Sequence, residues 1–300
     1  MLKQPLVTII CSCYNHENYV LDTLNSVIHQ EYKNIQLIIV DDYSSDNSNK
    51  VITTWIINYP DTIFIQNPEN LGITKSFNNA YKYAKGDYLI DLAADDILLP
   101  KCIKLQLEVF KNSNYTNLGL VYGNAIVTDD SGKFIRYYFP QNEDGSLIKQ
   151  RPTGNVYEYI ISDVYSLCSV TAMIKAETFE YLNGYDPDLH FEDLDFWIRA
   201  SREYEFDFIN LILAKKRELK NSLGDSFFKK NTYYKKFNYS VYNILNKAFA
   251  LNRNKQEHKS LLKRTFIMMK RAARALDFKL FLIYVLFYSK VFYYSKIDPD

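Results

Sequence analysis

Three pairs of adjacent acidic side chains could take part in chemistry. They are Asp41 and Asp42, Asp95 and Asp96, and Glu192 and Asp193, and the first two pairs follow apolar segments. Carboxylate oxygens ligate hard divalent cations, and a carboxylate held near a hydroxyl acts as a general base. Aspartate and glutamate also cap helices and shape turns. Each pair therefore fits either a chemical or a purely structural role when it is taken alone.

Apolar strand patterns alternate with helical patterns over the first third of the chain. Strands are predicted at Leu6–Cys11, Ile35–Val40, Thr62–Gln66 and Tyr88–Leu92, and helices at Tyr19–Gln30, Asn47–Asn58, Ser76–Ala84 and Lys101–Lys111. This alternation predicts an α/β fold with a mostly parallel central sheet flanked by helices. Ligands of such sheets bind beyond the carboxyl ends of the strands, and the first two acidic pairs follow two of those ends.

Charge is distributed unevenly along the 300 residues, although the net charge is only +1. Residues 1–213 carry 16 basic and 29 acidic side chains, whereas residues 214–300 carry 20 basic and 6 acidic ones. The acidic part suits divalent cations, and the basic part suits an anionic surface such as lipid headgroups. We expect two domains, residues 1–215 and residues 216–300.

The four cysteines form no metal-binding pattern. They are Cys11, Cys13, Cys102 and Cys168. Scattered thiols without a CxxC pair argue against a zinc site and fit a reducing compartment. The first residues run into a strand pattern without an apolar signal segment. These features predict a cytoplasmic protein.

Five segments together resemble the family 2 glycosyltransferases, which have the GT-A fold. The segments are Val7–Asn15, Ile39–Asp46, Asn70–Gly72, Gly86–Asp96 and Phe191–Arg199, the last resembling the "ED" segment of that family. The resemblance covers roughly residues 5–215. It implies a Rossmann-like central sheet and an inverting transferase of the hexosyltransferase type, which moves one sugar from a UDP- or dTDP-sugar. A saccharide or lipid-linked saccharide acceptor of bacterial surface polysaccharide biosynthesis is expected.

The resemblance also implies roles for individual residues. Asp193 is the expected general base, and Glu192 is expected to bind or orient the acceptor. Asp95 is expected to bind Mn²⁺ or Mg²⁺. The residues expected to bind the nucleotide sugar are Ser12, Tyr14, Asn15, Asp41, Asp42, Asn70, Gly72, Lys75 and Asp95. A carboxylate such as Asp42 can accept the N3–H of uracil or thymine, which cytosine lacks. Lys75 fits a phosphate contact and a solvated helix start equally well.

The sequence departs from the family pattern at four places, of which Ser12 in place of a common proline is expected to be benign. Ala93 stands where the first aspartate of the metal-binding DxD motif is usual, although Asp91 lies on the same strand face. A histidine that completes the metal shell in many relatives has no counterpart in Lys216–Lys220, where Arg217 or Lys220 is placed to meet the diphosphate charge instead. Tyr43 replaces a common glycine, so we expect a different turn there. Ala93 and the missing histidine put tight metal binding in doubt.

Basic and apolar residues mix in the C-terminal part of the chain. The uninterrupted apolar run Leu280–Tyr288 covers only about 14 Å as a helix, less than half of a bilayer core. We therefore expect residues 259–294 to lie on the inner face of the cell membrane as a peripheral contact. The alternative is a helix packed on the catalytic domain or on a second copy in a homodimer. Nucleic-acid binding is not expected, because no known module appears.

Two other function classes stay open at this level. One is a non-catalytic protein that binds sugar nucleotides or acts as a scaffold in a glycan assembly complex, which Ala93 and the missing histidine would suit. The other is a nucleotidyltransferase. The chain has no GxGxxG after its first strand, which argues against a dinucleotide dehydrogenase. It also lacks a P-loop and the QxxRW motif of processive synthases, so transfer of a single sugar is expected.

Overall fold

The computed structural model describes residues 4–164, 166–219 and 232–298. The chain folds into two compact units, and each unit is assembled from separate segments of the sequence. Unit 1 comprises Met1–Gly154, Cys168–Pro187 and Tyr204–Glu218. Unit 2 comprises Asn155–Leu167, Asp188–Glu203 and Leu219–Asp300.

Unit 1 is built on a nine-stranded sheet. The strands are β1 (Val7–Cys13), β2 (Ile35–Asp41), β3 (Ile63–Gln66), β4 (Tyr88–Ala93), β5 (Ile97–Leu98), β6 (Leu118–Thr128), β7 (Phe134–Tyr137), β8 (Met173–Lys175) and β9 (Glu205–Arg217). They follow the order β3-β2-β1-β4-β8-β6-β9-β5, and β7 pairs with β6. The helices of this unit are α1 (Val20–Ile28), α2 (Ser48–Ile56), α3 (Ile73–Tyr81), α4 (Cys102–Asn112) and α6 (Ala176–Tyr181), while α5 (Tyr157–Ser162) belongs to unit 2. The predicted α/β fold, with a mostly parallel central sheet flanked by helices, is confirmed.

The parallel part of the sheet brings three polar strand ends to one edge. β1 pairs in parallel with both β2 and β4, so that Cys13 lies opposite Asp41 and Ser12 lies opposite Ala93. Strand β1 is apolar on both faces, with Val7, Ile9, Ile10 and Cys11 fully buried, as is typical of a central strand in a parallel sheet. The loops that follow β1, β2 and β4 therefore meet at the carboxyl edge.

Strand β9 was not expected from the sequence. It is 13 residues long and runs parallel to β6, and it passes through the expected domain boundary at residues 215 and 216. Its register against β6 shifts near Gly123 and Asn124. Such irregularities break the two-residue alternation of buried and exposed side chains, which explains why the pattern did not indicate a strand.

Unit 2 is helical. It contains α5 (Tyr157–Ser162), α7 (Glu192–Glu203), α8 (Thr232–Leu251), α9 (Lys255–Arg274) and α10 (Phe278–Ile297). The helices begin at capping side chains where the sequence supplies them: Asn254 accepts from the Glu257 amide and Asp277 from the Leu280 amide. The C-terminal helices expected from the basic sequence are present.

A buried ion pair joins α7 to the start of α9. Both guanidinium Nη atoms of Arg202 donate to the Glu257 carboxylate, at 2.9 and 3.0 Å. Arg202 also lies over the Tyr157 ring, with 3.8 Å between Cζ and the ring centroid. A planar, two-point contact of this kind fixes orientation as well as charge, so it sets how α7 is held within unit 2.

Candidate functional site

The Asp42 carboxylate organises the loop that precedes α3. It accepts hydrogen bonds from the backbone amides of Leu71 and Gly72 and from the Asn67 side chain, each at 2.8 Å. The Asn70 side chain donates to the Asp42 carbonyl at 3.3 Å. Gly72 has φ +82°, a conformation that glycine adopts without strain. Asp42, Asn70 and Gly72, predicted as separate contacts, thus form one cluster.

Asp42 is buried, and its internal hydrogen bonds limit what it can offer to a ligand. A carboxylate has roughly four acceptor positions, and three of those of Asp42 are filled from within the chain. About one position is left for a base N–H. The expected contact between Asp42 and a nucleobase stays a prediction. What the structure shows is that the Asp42 carboxylate holds the loop before α3 by hydrogen bonds.

The turn after β1 is tied to the turn after β2. Asn15 has φ +57°, and its amide oxygen accepts from the Ser45 backbone N–H at 2.8 Å. The Asn15 backbone N–H donates to Ser44 Oγ at 2.9 Å, and Ser44 Oγ donates in turn to the Asp41 carboxylate. Asp41 and Asn15 therefore fix the two loops against each other rather than standing free.

Two exposed tyrosines project from these turns. Tyr14 is 44% exposed and Tyr43 is 59% exposed. Tyr43 has φ +64°, a left-handed backbone conformation that favours glycine, and the expected difference of this turn from that of the relatives stays a prediction. A bulky residue in this conformation carries a cost of about 1–2 kcal/mol.

Ser12 has a buried hydroxyl oxygen without a hydrogen-bond partner among the residues that the structure describes. Its backbone carbonyl accepts from the Ala94 amide at 3.0 Å. A buried hydroxyl usually finds a partner, so this group at the carboxyl edge of β1 is suited to contact a ligand. Lys75, on the first turn of α3, is exposed, and both interpretations of it remain open.

Asp95 and Asp96 differ in environment although they are adjacent. Asp96 is buried and accepts from the Arg217 backbone amide at 3.0 Å, and the Lys216 ammonium lies 3.8 Å from its other oxygen. Burial raises the pKa of Asp96, and the charge of Lys216 opposes that rise. Asp95 keeps a partly exposed carboxylate, 4.0 Å from His16 Nε2. Asp96 is thus an internal anchor, and Asp95 is the carboxylate nearer to solvent.

The residues around Asp95 do not fit a divalent cation. Ala93 offers no oxygen ligand, Asp91 accepts a hydrogen bond from the Tyr185 hydroxyl at 3.0 Å, and Asp96 faces Lys216. Within the described ranges, no group of three or more His, Cys, Asp or Glu side chains is arranged to hold a metal ion. About six or more oxygen ligands are usual for such ions. No chemical step is therefore assigned here to the expected Mn²⁺ or Mg²⁺.

Glu192 and Asp193 open α7 in unit 2. Glu192 is buried, and the Asp193 carboxylate accepts from the Leu194 amide at 2.6 Å. The start of a helix favours an ionised carboxylate. Burial lowers the pKa of the Arg264 guanidinium to about 10, while the charges of Asp163 and Asp193 oppose that shift. The Asp193 carboxylate therefore lies at the start of a helix and near a cation, both of which stabilise negative charge.

Sequence reasoning missed several residues that build these clusters. Asn67 and Ser44 connect loops that are far apart in sequence, and Lys216 lies on a strand that the pattern concealed. Lys220, which was expected to meet the diphosphate, lies outside the described residues. His190 donates its backbone N–H to Ser240 Oγ, and its ring lies 6.0 Å from that of Phe237.

A family profile and several curated proteins are similar to this chain. The profile described as Glycosyl transferase family 2 matches residues 8–173. An uncharacterized glycosyltransferase of Methanocaldococcus jannaschii is 28% identical over 219 residues, which are 72% of each chain. The putative glycosyltransferase EpsE of Bacillus subtilis is 28% identical over 68% of this chain and 69% of its own length. An uncharacterized glycosyltransferase of Rickettsia bellii is 29% identical over 71% of this chain, but the match spans only 30% of that protein.

Solved structures share the fold. Staphylococcus aureus TarS 1-349 in complex with UDP-GlcNAc has a TM-score of 0.58 at 15% identity, covering 95% of this chain and 92% of its own. The mannosyltransferase PcManGT from Pyrobaculum calidifontis, in complex with GDP-Man and Mn²⁺, has a TM-score of 0.58 at 14% identity, covering 97% of this chain and 85% of its own. At such identities the likeness extends to the fold, which agrees with the expected GT-A architecture.

Proposed function

The chain belongs to glycosyltransferase family 2, and we propose that it transfers one sugar from a UDP- or dTDP-sugar to a saccharide or lipid-linked saccharide. The observation that carries this proposal is the joined carboxyl edge of β1, β2 and β4. There, Asp42 accepts hydrogen bonds from the Asn70–Gly72 loop, and the buried Ser12 hydroxyl has no hydrogen-bond partner among the described residues. This edge is where α/β sheets bind nucleotides. Surface polysaccharide biosynthesis is the process in which we place the reaction.

The proposed chemistry is a single displacement with inversion. The acceptor hydroxyl oxygen attacks the anomeric carbon, the bond from that carbon to the diphosphate oxygen breaks, and the hydroxyl proton passes to the Asp193 carboxylate. Glu192 orients the acceptor. The position of Asp193 at the start of α7 and the nearby charge of Arg264 support this assignment, because a general base must carry negative charge and both features stabilise it.

Ligand-induced thermal stabilisation tests the donor class. A ligand at about 100 times its Kd stabilises the native state by about 2.7 kcal/mol, which corresponds to roughly 5 °C in a chain of this size. We expect UDP and UDP-sugars, or the dTDP series, to raise Tm by about that amount, and CDP to raise it less because cytosine lacks the N3–H. A chain whose Tm responds to none of these nucleotides would contradict the proposal.

A non-catalytic role as a sugar-nucleotide-binding or scaffold protein is the alternative, and Ala93 favours it because one family carboxylate is missing. Calorimetry and a turnover assay separate the two functions. UDP binding with no turnover of any donor that stabilises the chain would support the binding protein.

We further propose that unit 2 contacts the inner face of the cell membrane from the cytoplasm. α10 buries one stripe, containing Leu280, Tyr284, Phe287 and Val291. It exposes an opposite stripe that is also apolar, with Phe278 at 70%, Leu282 at 60% and Leu286 at 72% exposure. The same pair of helices, α9 and α10, carries exposed basic side chains: Lys259, Lys263, Lys270, Arg274 and Lys279. An apolar stripe beside lysine and arginine suits an anionic lipid surface.

Helix α10 has 20 residues, whereas the uninterrupted apolar run within it has only nine. By length and composition alone, α10 is long and apolar enough to cross a membrane. Of its most apolar 18-residue stretch, 28% is buried against the rest of the protein. The buried stripe packs on α9 and α8. This packing supports a helix that lies on the surface, because a spanning position would remove it from those partners.

Vesicle binding tests the membrane proposal. We expect the protein to sediment with vesicles of phosphatidylcholine containing phosphatidylglycerol and to be released by salt. The double change Leu282→Ser and Leu286→Ser should weaken binding by at least about tenfold, since each leucine contributes roughly 1.5–3 kcal/mol on burial. Ile57→Ser, an equally exposed apolar site in unit 1, is the matched control.

Equal sedimentation of the wild type and the double variant would contradict membrane contact through α10. A concentration-dependent dimer in the absence of lipid, lost in the double variant, would instead assign the stripe to the homodimer alternative. A wild-type protein that does not sediment with anionic vesicles would contradict the proposal as well.

A further inference from the structure

The C-terminal end of β9 brings two cations to the acidic pair that follows β4. β5 pairs antiparallel with β9, so that Ile97 lies opposite Lys215. This pairing sets Lys216 and Arg217 beside Asp95 and Asp96. All of these residues belong to unit 1.

The ammonium group of Lys216 has N–H donors that are not used in hydrogen bonds to a carboxylate of the described residues. Its Nζ lies 3.8 Å from Asp96 Oδ2, which is longer than a hydrogen bond. In the part of the chain that the structure describes, no other carboxylate oxygen lies within 4.0 Å of Nζ, and about a third of the side chain is exposed. An ammonium has three donors, so Lys216 can bind an anion from the solvent side while it stays near Asp96.

The side chain of Arg217, the next residue of β9, is held by three contacts. Its Nη2 donates to Asp22 at 2.8 Å, its Nη1 donates to the Asp95 carbonyl at 3.2 Å, and its guanidinium lies over the Tyr19 ring. The Nε atom is buried and has no partner among the described residues. The side chain therefore supplies a stationary positive charge and holds the backbone of Asp95.

Cations of the chain already lie beside carboxylates at this point. Lys216 lies 3.8 Å from Asp96, and Arg217 is paired with Asp22 at 2.8 Å. A nearby ammonium repels a divalent cation. Two departures from the family pattern act in the same direction, because Ala93 removes a negative charge and Lys216 opens the stretch that lacks the family histidine.

We propose that Lys216 binds the diphosphate of the donor directly, in place of a divalent cation, while Arg217 holds the backbone of Asp95. This inference rests on the proposed function, since it concerns the donor of that reaction. Fixed lysine and arginine groups stabilise phosphate charge by the same electrostatic means as a metal ion. As the bond to the anomeric carbon breaks, negative charge grows on the leaving diphosphate oxygen, and Lys216 donates a hydrogen bond to the diphosphate.

Calorimetry with UDP and uridine tests the inference on the full chain. We expect UDP to bind in EDTA with an affinity within about threefold of that in Mn²⁺. Lys216→Met should weaken UDP binding by about tenfold or more and leave uridine binding unchanged, because uridine has no diphosphate. Lys216→Arg should retain most of the UDP affinity, and Lys215→Met, the exposed neighbour on the same strand, is the matched control.

The outcomes separate the inference from the proposed function. UDP binding that is lost in EDTA and restored by Mn²⁺ would overturn the inference and leave the function standing, and this arm uses the wild-type protein alone. Equal loss of UDP and uridine binding in a folded Lys216→Met protein would overturn it too. Failure of the wild type to bind either ligand under both conditions would overturn the proposed function itself.

Discussion

Asp193→Asn is expected to lower kcat by about 10²- to 10⁴-fold, the usual contribution of a general base. The substitution keeps the shape and the acceptor oxygen that receives the Leu194 amide hydrogen bond, so α7 should remain intact. What it removes is the ability to take the acceptor proton. The affinity for UDP should stay unchanged, because the nucleotide is bound in the proposal by unit 1.

A turnover assay and UDP calorimetry on the same preparation check this expectation. Asp188→Asn, an exposed carboxylate five residues earlier, is the matched control and should keep wild-type turnover. Activity of Asp193→Asn within about threefold of the wild type would remove Asp193 from the role of base. A parallel loss of UDP affinity would show that the change acts on folding or donor binding instead.

Asp42→Ala is expected to have the largest effect on stability, about 3 kcal/mol or more in the free energy of unfolding. The change leaves the Leu71 and Gly72 amides and the Asn67 side chain without their acceptor, at about 1–3 kcal/mol for each buried unpaired donor. The Asn70–Gly72 loop should lose its conformation, and UDP binding should weaken with it.

Urea denaturation measures this loss. Asp61→Ala removes an exposed aspartate from a loop of the same unit and should change the free energy of unfolding by less than about 0.5 kcal/mol. If Asp42→Ala matched Asp61→Ala in stability, the loop would not depend on the buried carboxylate. If it lost stability but kept UDP affinity, the loop would be structural and not part of the donor site.

The sequence predicted the parts of the fold in which local pattern and global structure agree. β1, β2 and β4 are short apolar runs flanked by polar turns, and their observed bounds differ from the predicted ones by only one or two residues. Such runs can be recognised in the sequence because a strand buried on both faces is apolar throughout and does not alternate apolar with polar residues. The helices between them carry a clear apolar face, and so they were predicted as well.

The sequence indicated that polar residues lie at the ends of β1, β2 and β4, but it did not indicate which contacts they make. The carboxylate of Asp42 was expected to face a ligand, whereas its hydrogen bonds go to backbone amides about 30 positions away. The charge balance between Asp96 and Lys216 joins residues 120 positions apart through a strand with irregular register. Contacts of this kind depend on which strands lie next to each other in the sheet, and the spacing of residues in the sequence does not predict them.

The anomeric configuration of the released sugar tests the central claim most directly. Donor hydrolysis needs no acceptor, and early NMR spectra record the sugar before mutarotation. We predict UDP, or dTDP, together with a sugar whose configuration is opposite to that of the donor. Release of pyrophosphate, a sugar of retained configuration, or no turnover of any donor that stabilises the chain would contradict an inverting glycosyltransferase.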